Sequence, residues 1–139
     1  VPGRLVNTVY PGIPEQLAAL RAKGYVLAIA TCKPEYQAVP ICEHFHVDRM
    51  VDGIYGASKD NSRIDKDQVI RYCFDLIGFD AQAGDRAVMV GDRWTDIDGA
   101  RACGVDTIGC RWGYAEHGAY AIIDRVDQLA DAVERYFAR

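Results

Sequence analysis

The stretch Ala87-Val88-Met89-Val90-Gly91-Asp92-Arg93-Trp94-Thr95-Asp96-Ile97-Asp98-Gly99-Ala100 decides the fold. Its four leading apolar residues, with no polar alternation, read as a short strand covered on both faces. The run closes on Gly91-Asp92, and a helix follows at once. Thr95 is its expected N-cap, Asp96 and Asp98 lie in its first turn where the helix dipole favours carboxylates, and Gly104 stands beyond its end. A buried strand feeding directly into a capped helix is the repeating unit of a parallel α/β sheet.

The same unit recurs on either side. Upstream, Pro14 suits a first helical turn, Leu17 and Leu20 form an apolar stripe, and Gly24 suits the end of a helix over about Pro14–Lys23. Tyr25–Ala30 is a continuous apolar run that places Thr31 at the carboxyl end of a strand. A second helix starts near Pro34 and is expected to break or kink at Pro40, which removes a backbone donor. Met50–Tyr55 is a weaker strand. Asp65 with Gln68 three residues on forms a capping-box-like start, and Val69, Ile70, Cys73, Phe74 and Ile77 recur at helical spacing before Gly78. Downstream, Thr107–Arg111 and Ala121–Ile123 read as strands, and Val126, Leu129, Val133 and Phe137 mark a terminal amphipathic helix.

Composition narrows the function classes. The chain has 139 residues, half of them hydrophobic, with 16 basic against 20 acidic side chains for a formal charge of -4. That balance gives no general attraction to nucleic acid or anionic lipid. No run approaches the roughly 18 apolar residues of a membrane span. Five scattered cysteines without CxxC spacing suit a reducing, cytoplasmic setting. Cys32 is no phosphatase nucleophile of the Cys-x5-Arg type, because Ala38 stands where the arginine belongs. The start at Val1-Pro2-Gly3-Arg4 shows neither an initiator Met nor a signal-peptide pattern and reads as mid-sequence.

In parallel sheets, ligands bind outside the carboxyl ends of the strands. Three polar groups fall there: Thr31-Cys32-Lys33-Pro34, Gly91-Asp92-Arg93-Trp94-Thr95-Asp96, and Arg63-Ile64-Asp65-Lys66 before the intervening helix. A hydroxyl, a cation and paired carboxylates suit phosphoryl transfer, which depends on positioning and charge neutralisation. The carboxylates suit a hard cation that keeps water and bridges to phosphate, hence Mg2+. Taken singly, Thr31 is an ordinary strand-end residue, Lys66 a solvated helix-start residue and Asp96 a dipole carboxylate. Asp67 and Asp98 read as surface charges, His44, His46 and His117 as solvated or core-edge groups, and Trp94 and Trp112 as packing or crevice-wall residues.

Their order and context resemble the haloacid dehalogenase superfamily of phosphohydrolases, and most of all its phosphoglycolate phosphatases. The matching segments are Val9-Tyr10-Pro11-Gly12-Ile13, Ala30-Thr31-Cys32-Lys33-Pro34, Lys66, Val90-Gly91-Asp92-Arg93 with Asp96, Gly99-Ala100, and Trp112-Gly113-Tyr114. The resemblance implies a Rossmann-like three-layer α/β/α core with a mainly parallel sheet. It implies that Thr31 hydrogen-bonds the transferring phosphoryl group and that Cys32 stands beside it where relatives often have Ser. Lys66 is implied to steady nucleophile and phosphate, with Arg63 and Lys59 as alternatives. Asp92 is implied to anchor Mg2+, and Asp96 to help hold the lysine.

The family's nucleophile, the first Asp of an Asp-x-Asp-Gly-Thr stretch after an apolar strand, has no counterpart before Thr31. Asp96-Ile97-Asp98-Gly99 follows no such strand and belongs to the fourth motif. The helical cap has no counterpart either, so residues 1–139 read as the C-terminal portion of such a core. The first strand is implied to lie between those ending at Thr31 and Asp92. An upstream segment or another chain is expected to complete the sheet. The expected activity is hydrolysis of a small phosphorylated metabolite, with a nucleotidase, a sugar-phosphate mutase or a non-catalytic regulatory module as rivals. A phosphoacceptor receiver domain would order its residues Asp, Thr, Lys, whereas this chain runs Thr, Lys, Asp.

Overall fold

The computed structural model describes residues 12–91, 93–110 and 119–138. Helix α1 (Ile13–Ala22) precedes strand β1 (Ala28–Pro34), helix α2 (Glu35–His44) and strand β2 (Gly53–Ala57). Helix α3 (Lys66–Ile77), strand β3 (Val88–Gly91), helix α4 (Trp94–Ala102) and strand β4 (Asp106–Cys110) follow. Strand β5 (Ala121–Ile123) and helix α5 (Leu129–Phe137) complete the order. Every strand pairing is parallel, and the fold is α/β as the sequence implies.

The strands form two separate pieces. β1 pairs with β2, starting from Ala28 opposite Gly53, and β3, β4 and β5 pair in that order. Among the described residues, nothing pairs with the remaining edge of β1 or of β3. The position that the resemblance gives to a further strand therefore holds no described strand. Helices α3 and α4 pack on each other, α3 against β1 and β2, and α4 against β3 and β4. On the opposite face, α1 and α5 enclose a core of Leu20, Ile108, Cys110, Ile123, Leu129, Val133 and Tyr136.

The first strand starts later than the apolar run suggests. Tyr25 N–H bonds back to the Leu20 carbonyl at the end of α1. The Asp52 carboxylate accepts from Leu27 N–H at 2.8 Å while Asp52 N–H donates to the Leu27 carbonyl at 2.7 Å, and the registered strand pairing starts at Ala28. The strand also runs on past Ala30 through a register irregularity to Pro34, opposite Ala57, which puts Thr31 inside its irregular end instead of beyond it. The Glu35 carboxylate accepts from Gly56 N–H at 3.2 Å and ties α2 to β2.

Helix α2 corrects a second expectation: it continues through Pro40 to His44. Only the bond from residue 40 to the Tyr36 carbonyl is lost, and Tyr36 and Pro40 are both exposed, so water can serve that carbonyl. Replacing Pro40 with Ala restores a donor but releases the unfolded chain. The expected net result is a stabilisation of about 1–2 kcal/mol, read as a higher urea midpoint at unchanged m-value.

Candidate active site

Thr31 is held by its own turn. Its Oγ1 accepts from Lys33 N–H at 3.1 Å, which leaves the hydroxyl proton free to donate elsewhere. Cys32 beside it is exposed, yet partial burial of its thiol is the main influence on its acidity and pushes the pKa up, outweighing the opposing pull of Lys66. The group is therefore a thiol, a neutral donor, at neutral pH.

Lys66 opens α3. Gln68 Oε1 accepts from Asp65 N–H at 3.0 Å and from Ile64 N–H at 2.9 Å, fixing the start of the helix as the capping pattern predicts. The Lys66 ammonium then reaches across the molecule. It donates to the Ala30 carbonyl of β1 at 2.9 Å and pairs with Asp96 Oδ1 at 2.6 Å, with both side chains only 11% exposed. The two alternatives are engaged elsewhere: Arg63 Nε donates to the Gly56 carbonyl at 2.8 Å with its guanidinium 3.6 Å from the Tyr72 ring centroid, and Lys59 lies over Tyr36.

Helix α4 begins one residue before the expected N-cap, with Arg93 in the capping position and Thr95 inside the helix. Asp96 does the capping from within, accepting from Arg93 N–H at 3.3 Å through Oδ2. Gly91 makes room for that carboxylate, since a Cβ there would lie 2.4 Å from Asp96 Cβ and 2.6 Å from its Oδ2. Trp94 is 64% exposed and lines no crevice, because it lies about 200° around the helix from inward-facing Asp96. Asp98 is a surface charge paired with Arg101, and His44 and His46 are exposed.

Thr31, Cys32, Lys66, Gly91 and Asp96 line one 1200 Å³ cavity. Asp92, the expected metal ligand, lies outside the described residues, as do Val9-Tyr10-Pro11, Trp112-Gly113-Tyr114 and His117. A model for the haloacid dehalogenase-like hydrolase family matches residues 5–110. The chain belongs to that family.

Relatives named for several different activities align with it. A 5'-nucleotidase of Pseudomonas aeruginosa is 40% identical over 114 residues, 82% of this chain and 50% of the relative. Tyrosine-protein kinase PtkA of Mycobacterium tuberculosis is 41% identical over 81% of this chain and 38% of its own. A plasmid-encoded phosphoglycolate phosphatase of Cupriavidus necator is 34% identical over 95% of this chain and 55% of its own. The crystal structure of a predicted phosphatase from Clostridium acetobutylicum superposes with a TM-score of 0.87 at 32% identity, covering 96% of this chain and 63% of that one. The chain thus spans about half the length, or less, of these curated relatives.

Sequence reasoning did not find the Ala30 carbonyl as a partner of Lys66, nor Glu35 and Asp52 as backbone ties. A main-chain acceptor carries no residue signature, and the acidic ties depend on loop geometry. Cys73, buried in α3, has its pKa pushed up to about 11 by burial. Iodoacetamide at pH 8 should leave Cys73 unmodified in the folded chain and alkylate it in urea, because the thiolate forms only as pH rises toward that value; peptide mass mapping reads the difference.

Proposed function

We propose that this chain is the C-terminal portion of a Mg2+-dependent phosphatase core that hydrolyses a small phosphate monoester, most like phosphoglycolate. The observation behind this reading is the Lys66 ammonium held between the Ala30 carbonyl, one residue before Thr31, and Asp96. It places a fixed cation and a hydroxyl donor at the carboxyl ends of β1 and β3, where an oxyanion would be stabilised.

Each residue then has a role. Thr31 donates its hydroxyl to a nonbridging phosphoryl oxygen, Cys32 offers its thiol and nearby amide, and Lys66 offsets the oxyanion charge. Asp96 holds Lys66 by accepting its hydrogen bond. Among the described residues, no group of three or more His, Cys, Asp or Glu is placed to hold a metal. Mg2+ takes oxygen ligands, keeps several waters and bridges to phosphate oxygens, so it needs few protein carboxylates. Asp92 would hold the ion, and bound Mg2+ would supply further charge neutralisation at the phosphoryl oxygens.

The attacking carboxylate comes from outside the matched motifs of this chain. Its oxygen bonds to phosphorus as the ester oxygen leaves, protonated by a second carboxylic acid. Water then attacks phosphorus, gives its proton to that second group and releases phosphate, regenerating the first carboxylate. The 139-residue chain alone should bind inorganic phosphate in the presence of Mg2+ but turn over no p-nitrophenyl phosphate. Replacing Thr31 with Val should weaken phosphate binding about tenfold, the loss of one hydrogen bond to a charged group, as measured by titration calorimetry. Phosphate affinity indifferent to Thr31, or turnover by the chain alone, would overturn the reading.

A further inference from the structure

We infer, on the basis of the function proposed above, that Lys33 and Arg93 form a second anion subsite beside the phosphoryl site. The substrate then carries another acidic group, a carboxylate or a second phosphate, close to its phosphate ester. Among the described residues, almost every lysine and arginine side chain meets a carboxylate, a carbonyl or an aromatic ring. Lys33, Arg49 and Arg93 do not. Arg49 stands apart from the site, whereas Lys33 and Arg93 line the same cavity as Thr31, Lys66 and Asp96. Two cations without partners thus sit where an acidic ligand is expected.

Both are fixed at the main chain and free at the side chain. Lys33 N–H donates to Thr31 Oγ1 at 3.1 Å, and its carbonyl oxygen lies so near Gly56 that a Cβ there would come within 2.6 Å of it. Arg93 N–H donates to Asp96 Oδ2 at 3.3 Å, and its carbonyl accepts from Asp96 N–H at 3.1 Å. Each backbone is therefore tied to a residue of the candidate site, while both side chains are exposed. The charges separate this pair from the phosphoryl site. Lys66 is matched by Asp96 at 2.6 Å, and Asp85, the other described carboxylate on the cavity wall, precedes β3 and lies at its far end. Lys33 and Arg93 are left unmatched in a chain whose formal charge is -4. A concave, low-dielectric wall focuses such charge on an incoming anion. The planar arginine fork meets a carboxylate or a phosphate through two hydrogen bonds, and the lysine adds a point charge. A phosphate ester of an uncharged alcohol would engage neither in this way.

The test is titration calorimetry of the 139-residue chain in Mg2+ with ethyl phosphate, 2-phosphoglycolate and ethylene glycol bisphosphate. The second probe replaces the methyl of the first with a carboxylate, and the third adds a phosphate at the same end. At least one of these two doubly acidic probes should bind about tenfold more tightly than ethyl phosphate, the worth of a hydrogen bond to a charged group. Which one gains identifies the acid. Lys33→Gln and Arg93→Gln should each cost that probe about tenfold more affinity than they cost ethyl phosphate. Arg49→Gln, which removes an unpaired cation outside the cavity, should cost neither. Equal affinity for all three probes, equal losses for the singly and doubly acidic probes, or the same selective loss in Arg49→Gln would each overturn the inference. Ethyl phosphate bound in a Thr31-dependent way with no gain from a second acid leaves the proposed function standing alone. Failure of every probe to bind overturns both.

Discussion

Replacing Lys66 with Met should lower the stability of the chain by about 3–5 kcal/mol, because it breaks a buried ion pair by removing one member. The pair is 2.6 Å apart and both members are 11% exposed, so solvent screening does little to soften the loss. For a chain of this length the melting temperature should fall by roughly 10–20 °C. The double replacement of Lys66 with Met and Asp96 with Asn should recover at least half of that loss, since no charge is then stranded while an amide oxygen still accepts from Arg93 N–H. A double-mutant cycle by urea denaturation measures both. A loss below about 1 kcal/mol for the single replacement would place this pair with ordinary surface ion pairs.

Replacing Gly99 with Ala should cost about 1–3 kcal/mol, against the usual sign for such a change in a helix. On an open helical surface the same substitution gains up to about 1 kcal/mol. Here α4 crosses α3 at its first turn, and a Cβ on residue 99 would lie 2.5 Å from Lys66 Cγ, 2.6 Å from Lys66 Cβ and 3.2 Å from the Asp67 amide nitrogen. The obstructing atoms are the root of a side chain and the backbone, not a flexible tip, so the helices must separate. Lys66 moves with them, and phosphate binding should weaken together with stability. A chain made more stable by the substitution would show that the two helices have slack between them.

Much of this arrangement is legible in the sequence. The apolar runs and glycine stops mark each strand and helix, because burial on both faces and helical periodicity leave compositional traces. Thr31, Lys66 and Asp96 are legible as a set because they follow strands or open helices on one end of a parallel sheet. What escapes is governed by one contact between distant segments and by two local departures from the usual helix rules. The Asp52 carboxylate delays the start of β1, a single exposed carbonyl lets α2 pass through Pro40, and Asp96 caps α4 from within so that Thr95 need not. No local propensity reports a partner 25 residues away.

The reach of Lys66 carries one more consequence. Its ammonium touches β1 of one sheet piece and, through Asp96, the helix seated on the other. A single side chain therefore ties the two halves together, in addition to the packing of α3 on α4. An amine one methylene shorter could not meet both partners without drawing the pieces together, and a longer one would let them drift apart. If the site binds phosphate as proposed, its affinity should change with the distance between the two sheets, readable without any structural probe.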